Sequence, residues 1–207
     1  MSEFAAAAAA GKEKREPEGA GFYLHLGLSL LAVTVIVSLL LALVYSVTKE
    51  PIAAQQEAER QAALAIVAPG ADVFSELYSE DPTIDGITGA YAGTELVGYC
   101  VEVSPNGFGG PVSLMVGVDP NGSVTGVVVL EHSETPGLGS KAEEPEFLDQ
   151  FLGKSGTITV KEGDNSIQAI TGATITSRAV ADGVNTALTA VLNFDGEGGG
   201  TDDGEHV

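Results

Sequence analysis

"VSLMVGVDPNGSVTGVVVLE", residues 112–131, decides the fold class. Two runs rich in β-branched residues, 112–119 and 123–131, flank Asp119-Pro120-Asn121-Gly122, a turn sequence, and the combination predicts a β-hairpin. Outward from it, "GYCVEV" at 98–103 and "GTITV" at 156–160 carry the same strand signature, in a pattern that begins near Thr83. Helical signals lie on both sides. A short helix is expected from Pro145 through 148–152. A longer one is expected over 177–193, where Val180, Val184, Leu188, Val191 and Leu192 recur at helical spacing. Strands followed by a helix, on about 140 residues, make one mixed α+β domain with a core of its own.

Upstream the chain changes character. Residues 22–47, "FYLHLGLSLLAVTVIVSLLLALVYSV", hold no acidic, lysine or arginine side chain. As a helix they would span about 39 Å, more than the ~30 Å hydrocarbon core of a bilayer. The run is far longer than a signal-peptide core and lacks a clear cleavage site, so an uncleaved single span is expected. Tyr23 and Tyr45 stand near its ends, where interfacial aromatics belong. Lys12, Lys14 and Arg15 precede the span, whereas Lys49 and Arg60 follow it. This bias predicts a cytoplasmic N-terminus and an extracytoplasmic domain.

Five segments are therefore expected. Residues 1–21 form a flexible cytoplasmic tail and 22–47 the transmembrane helix. A connecting helix that extends or follows the anchor covers 48–70, with Pro51 close to a helix start, stopped at Pro69-Gly70 and given a weak apolar face by Ile52, Ala62, Ala63 and Ile66. The domain occupies 71–193, and 194–207 is a disordered acidic tail.

Charge bounds the partners. The four basic residues up to Lys49 balance Glu3, Glu13, Glu16 and Glu18, so the whole formal charge of −20 falls after them. Such a domain repels nucleic acid and anionic lipid surfaces. The single cysteine, Cys100, cannot make an internal disulfide, and three scattered histidines suggest no zinc cluster.

Three loops could carry chemistry. In "PNGFGGPV" (105–112) the glycines let backbone approach a flat or bulky group on which Phe108 could stack, although from the loop alone a long flexible connection between strands is the reading preferred. "EHSETPGLGSK" (131–141) leaves a strand end with His132, Ser133, Glu134 and Thr135 close together before the Pro136-Gly137 bend. "TGATITSR" (171–178) sets three threonines and a serine around Gly172 and Ala173 at the mouth of the last helix. One hydroxyl, of Thr174 or Thr176, could cap that helix, but a cap needs only one. The free N–H groups of a helix start, with Arg178 nearby, suit a phosphate held at Thr174, Thr176 or Ser177.

Taken together, "TGATITSRAV", "HSETPGLGSK" and "NGFGGPV", preceded by one span running into "VTKEPIAAQ", resemble the membrane-anchored, FMN-binding G component of Rnf electron-transport complexes over most of 22–192. The resemblance implies an FMN-binding domain outside the cytoplasm. It also implies FMN bound covalently, through its phosphate, to the last threonine of the S/T-G-A-T motif, here Thr174, by a separate flavin transferase. Thr171, Gly172, Ala173, Thr176, Ser177 and Arg178 would surround the attachment point. By the same analogy Phe108, His132, Glu134, Thr135, Pro136, Gly137, Leu138 and Gly139 would lie near the ring. The family often has an aspartate three residues before the motif, where this chain has Gln168.

The implied role is electron transfer without turnover by the chain alone, as the redox component of an ion-translocating ferredoxin:NAD oxidoreductase, with the other members of that complex as partners. Two alternatives stand beside it. One is the C component of a sodium-translocating NADH:quinone reductase. The other is a non-redox, membrane-anchored acidic binding protein in which TGAT only caps a helix.

Overall fold

The computed structural model describes residues 19–79, 81–160, 163 and 165–194; the two expected tails lie almost wholly outside these. Contacts divide the chain into two units at residues 54 and 55.

In the first unit the apolar stretch is helical, as part of α1 (Gly19–Val67), and an 18-residue window within that helix reaches a mean hydropathy of 2.7 with none of it buried. Three of its hydroxyls are satisfied internally: Ser29, Thr34 and Ser46 each donate to a carbonyl three residues back. That economy is what a helix in lipid requires. The connecting helix extends the anchor and does not follow it as a separate helix: Pro51 lies inside α1 and starts no new one.

The second unit is built on a five-stranded antiparallel meander, in the order β1 (Val73–Leu77), β2 (Gly86–Ala92), β3 (Glu95–Val103), β4 (Val112–Val118) and β5 (Val124–His132). The 112–131 hairpin is β4 and β5, within one residue of expectation. Asp119 organises its turn: Oδ1 accepts the N–H groups of Asn121 and Ser123, and Gly122 takes the left-handed conformation at φ 81°.

Alternation along the strands gives the sheet two apolar faces. On one, Val101, Val103, Leu114, Val116 and Val118 pack against Val180, Val184 and Leu188 of α3 (Thr174–Leu192) and against Phe147 and Phe151. Phe147 belongs to α2 (Pro145–Leu148), which runs on into a 3₁₀ turn at Asp149–Phe151. Leu192, expected on the buried side of the last helix, is 66% exposed, whereas Val191 before it is buried.

On the other face, Ala90, Cys100 and Met115 receive Ala63, Leu64 and Val67 from the C-terminal end of α1, and Ala68 just after it. This corrects the apolar face expected from sequence, in which only Ala63 is buried; Ile52, Ala62 and Ile66 are exposed. Arg60 fixes the contact laterally, with Nε 2.6 Å from Glu102 Oε1 and an Nη donating to Thr88 Oγ1.

The expected strand over 156–160 shrinks to β6 (Thr159–Val160), paired in parallel with β7 (Ser166–Ile167). Ile158 is held instead by Asn185 of α3, whose side-chain amide accepts its N–H and donates to its carbonyl. Beyond β7 the chain runs directly into the TGAT loop and α3.

Candidate functional site

All three singled-out loops converge on one carboxylate. Glu134, after the end of β5, is 6% exposed, yet among the described residues none of its partners is a lysine or arginine. Its Oε1 accepts the N–H of Phe108 at 2.7 Å and of Gly109 at 2.9 Å, and its Oε2 accepts the hydroxyl of Thr176 at 2.7 Å. Burial pushes its pKa up. The Gly109 N–H, the Thr176 hydroxyl and the Phe108 N–H outweigh that effect and hold the group below the usual carboxylate range. The backbone is shaped around this group: a Cβ at Gly107 or Gly139 would run into the Glu134 carboxylate.

The 105–112 loop is thereby a fixed structure and not a loose connection. Gly107 N–H donates to the Gly110 carbonyl, and Val112 N–H to that of Pro105. Phe108 projects from the loop, 70% exposed. The loop after β5 is equally local. The Thr135 carbonyl accepts the N–H groups of Leu138 and Ser140, Gly137 N–H donates to Ser140 Oγ, and Gly137 sits at φ 78°. His132 accepts the Glu134 N–H at Nδ1, and its Nε2 lies 3.5 Å from Glu143, so it braces the loop and does not line the cleft described below.

At α3 the hydroxyls separate by role. The expected side-chain cap by Thr174 or Thr176 is absent: the N-cap is Ala173, and the helix begins at Thr174 itself, three residues earlier than the sequence pattern predicts. Ser177 supplies the closure from within the helix. Its Oγ donates to the Ala173 carbonyl and accepts the Ile170 N–H, which ties the loop to the first turn. Thr176 is committed to Glu134. Thr171 is exposed on the loop. Thr174 is half-buried, and among the described residues its hydroxyl makes no hydrogen bond. Arg178 is exposed and lines neither cleft beside Thr174.

Those two clefts meet at Gly172 and Thr174. One, about 370 Å³, is walled by Phe108, Leu138 and Ile175, with Glu134, Gly139 and Thr176 behind them. The other, about 710 Å³, is polar and runs along 166–172 to Gln150. No sequence signal marks Gln150, yet its side-chain amide accepts the Gln168 N–H and donates to the Gln168 carbonyl, fixing the approach to the TGAT loop.

The apolar cleft passes a test for a flat aromatic ligand. Phe108, Leu138 and Ile175 are 70, 46 and 53% exposed around one hollow, a costly display on a domain otherwise rich in acid. Gly172, at φ 82°, leaves open the floor beside Leu138 that a Cβ would narrow to 3.2 Å. Residues 107–189 match the family model of the FMN-binding domain, and 24–67 match that of the RnfG N-terminal region.

Curated relatives agree. The G component of the proton-translocating ferredoxin:NAD(+) oxidoreductase complex of Clostridium ljungdahlii is 36% identical over 166 residues, covering 78% of this chain and 87% of that one. The Na(+)-translocating counterpart of Acetobacterium woodii is 40% identical over 68% of this chain and 73% of its own. The chain belongs to the RnfG family of ion-translocating oxidoreductase complexes. Its cofactor is FMN.

The RnfG-type relative from the ion-translocating oxidoreductase complex of Methanosarcina acetivorans is 34% identical over 78% of this chain and 90% of its own. Among solved structures, the C component of the Na(+)-translocating NADH-quinone reductase of Parabacteroides distasonis aligns with a TM-score of 0.45 at 24% identity, over 52% of this chain and 60% of that one. The match of 24–67 to the RnfG N-terminal region favours the Rnf assignment over the quinone-reductase alternative.

Proposed function

We propose that this chain is a membrane-anchored electron carrier within a multisubunit ion-translocating ferredoxin:NAD oxidoreductase complex, and that Thr174 holds its FMN as a phosphoester. One observation carries the residue assignment. Of the hydroxyls in the first turn of α3, those of Thr176 and Ser177 are engaged by the protein, while that of Thr174 has no partner among the described residues and stands where the two clefts meet.

Attachment replaces the hydroxyl hydrogen of Thr174 with an FMN phosphoryl group. The donor is an activated flavin nucleotide brought by a flavin transferase; its leaving group departs with the electrons of the cleaved P–O bond, and the threonine proton passes to solvent. The N–H groups of Thr174, Ile175 and Thr176, which precede the first intrahelical bond at Ser177, can bind the phosphate oxygens. The cofactor supplies electron transfer when bound, and the chain supplies the floor and walls around it. A tether suits so acidic a domain, which would repel a dissociated anionic flavin; linkage keeps the effective concentration high. The basic residues before α1 favour a cytoplasmic N-terminus, with the FMN domain on the opposite side of the membrane.

The test is an intact mass after co-expression with a flavin transferase and denaturation. The expected product is fluorescent and heavier by FMN minus water, and Thr174→Ala abolishes both signals. Flavin retained by Thr174→Ala would place the attachment elsewhere.

A further inference from the structure

The resemblance puts Glu134 beside the flavin ring, but its geometry gives it a different task. Both carboxylate oxygens are engaged by protein donors from two distant segments, which fill three of its roughly four lone-pair sites, so most of its accepting capacity goes to the protein and not to a ligand. What the carboxylate does is gather. The Phe108 and Gly109 N–H groups come from the loop between β3 and β4, 25–26 residues upstream, and the Thr176 hydroxyl comes from α3, 42 residues downstream. Each donor is next to, or is itself, a wall residue of the apolar cleft. Phe108 donates from its own backbone, Thr176 follows Ile175, and Leu138 precedes Gly139, which packs on Glu134.

We infer that Glu134 is a positioning residue for the flavin: by holding these three segments on one carboxylate it sets Phe108, Leu138 and Ile175 as a single apolar wall against the ring of an FMN tethered at Thr174. This rests on the covalent reading above. Without Glu134, Phe108 would remain on its loop, but the two N–H groups that fix the loop's tip would have no acceptor, and the ring would lose a side of its enclosure. Glutamine is the informative replacement. Its carbonyl can accept from Phe108 and Gly109 while its NH₂ donates to Thr176 Oγ1, a hydroxyl able to reverse its role. The clamp thus survives loss of charge.

Quenching of flavin fluorescence by neutral acrylamide, on the flavinylated full chain in detergent micelles, reads the enclosure directly. Glu134→Ala and Phe108→Ala are each expected to raise the quenching constant by roughly two-fold or more, and the double variant by no more than the larger single effect, because both remove the same wall. Glu134→Gln should stay near wild type, and Thr176→Val, which removes one of three bonds, should fall between. Should Glu134→Ala fail to fold, the Gln and Val variants still decide. A wild-type constant in Glu134→Ala or Thr176→Val, a Gln variant quenched as strongly as Phe108→Ala, or full additivity in the double variant would overturn the inference. Wild-type protein without the FMN mass increment would instead count against covalent attachment, a separate failure.

Discussion

Thr176 Oγ1 stands 2.7 Å from Glu134 Oε2, and both residues are buried, 1% and 6% exposed. This bond joins the first turn of α3 to the loop after β5. Removing the hydroxyl while keeping the side-chain shape leaves a buried carboxylate oxygen without a donor, a loss of about 1.5–3 kcal/mol. Thr176→Val should therefore lower the urea midpoint of the full chain in micelles, followed by tyrosine fluorescence. An unchanged midpoint would show that solvent replaces the hydroxyl freely.

The same carboxylate makes stability depend on pH in a definite direction. Its folded pKa lies below its ordinary value of 4.5, so the unfolded chain binds the proton more readily. Its contribution is fully present above the ordinary value and is lost as pH falls from there through the folded pKa. Between about pH 6 and pH 3 the wild type should lose more stability than Glu134→Gln, which has no proton to take up at that position. Parallel acid limbs for the two proteins would refute this.

Much of this architecture is legible locally, and the rest is not for a physical reason. The β4–β5 hairpin announces itself because the turn and both strands lie within 21 residues, Val112 to His132. β2, "GITGAYA", contains two glycines and two alanines and has little strand propensity of its own; its pairing with β1 and β3 makes it a strand. The three loops stand out as motifs, yet nothing in their spacing shows that Glu134 ties them together. The start of α3 escapes a sequence reading because Ser177 acts backwards from inside the helix, a contact that the preference for a hydroxyl at the cap does not anticipate.

Cys100 should be inert in the folded state. It is 1% exposed, in the cluster that receives α1, and burial pushes its thiol up to about 12. At pH 8 the thiolate fraction is then on the order of one part in ten thousand, and the thiolate is the reactive form. N-ethylmaleimide should label the denatured chain stoichiometrically and leave the native chain unlabelled over the same interval. Rapid native labelling would mean that the α1 contact opens readily.

That contact rests on a pair of facing glycines. Gly117 of β4 and Gly126 of β5 are register partners, and both lie under Val67: a Cβ on Gly117 would meet the Val67 carbonyl oxygen, and one on Gly126 would come within 2.7 Å of the Val67 Cα. Backbone atoms cannot swing aside as a side chain can, so either alanine must lift the helix end or bend the strand. Each of Gly117→Ala and Gly126→Ala should cost about 1–3 kcal/mol. Because both push on the same residue, the double variant should cost less than the sum. Gly86→Ala is the control, since its added Cβ would meet nothing within 4 Å. It should stay within about 0.5 kcal/mol of wild type in the same urea series. If Gly117→Ala were as mild as Gly86→Ala, the close seating of Val67 on the sheet would be wrong.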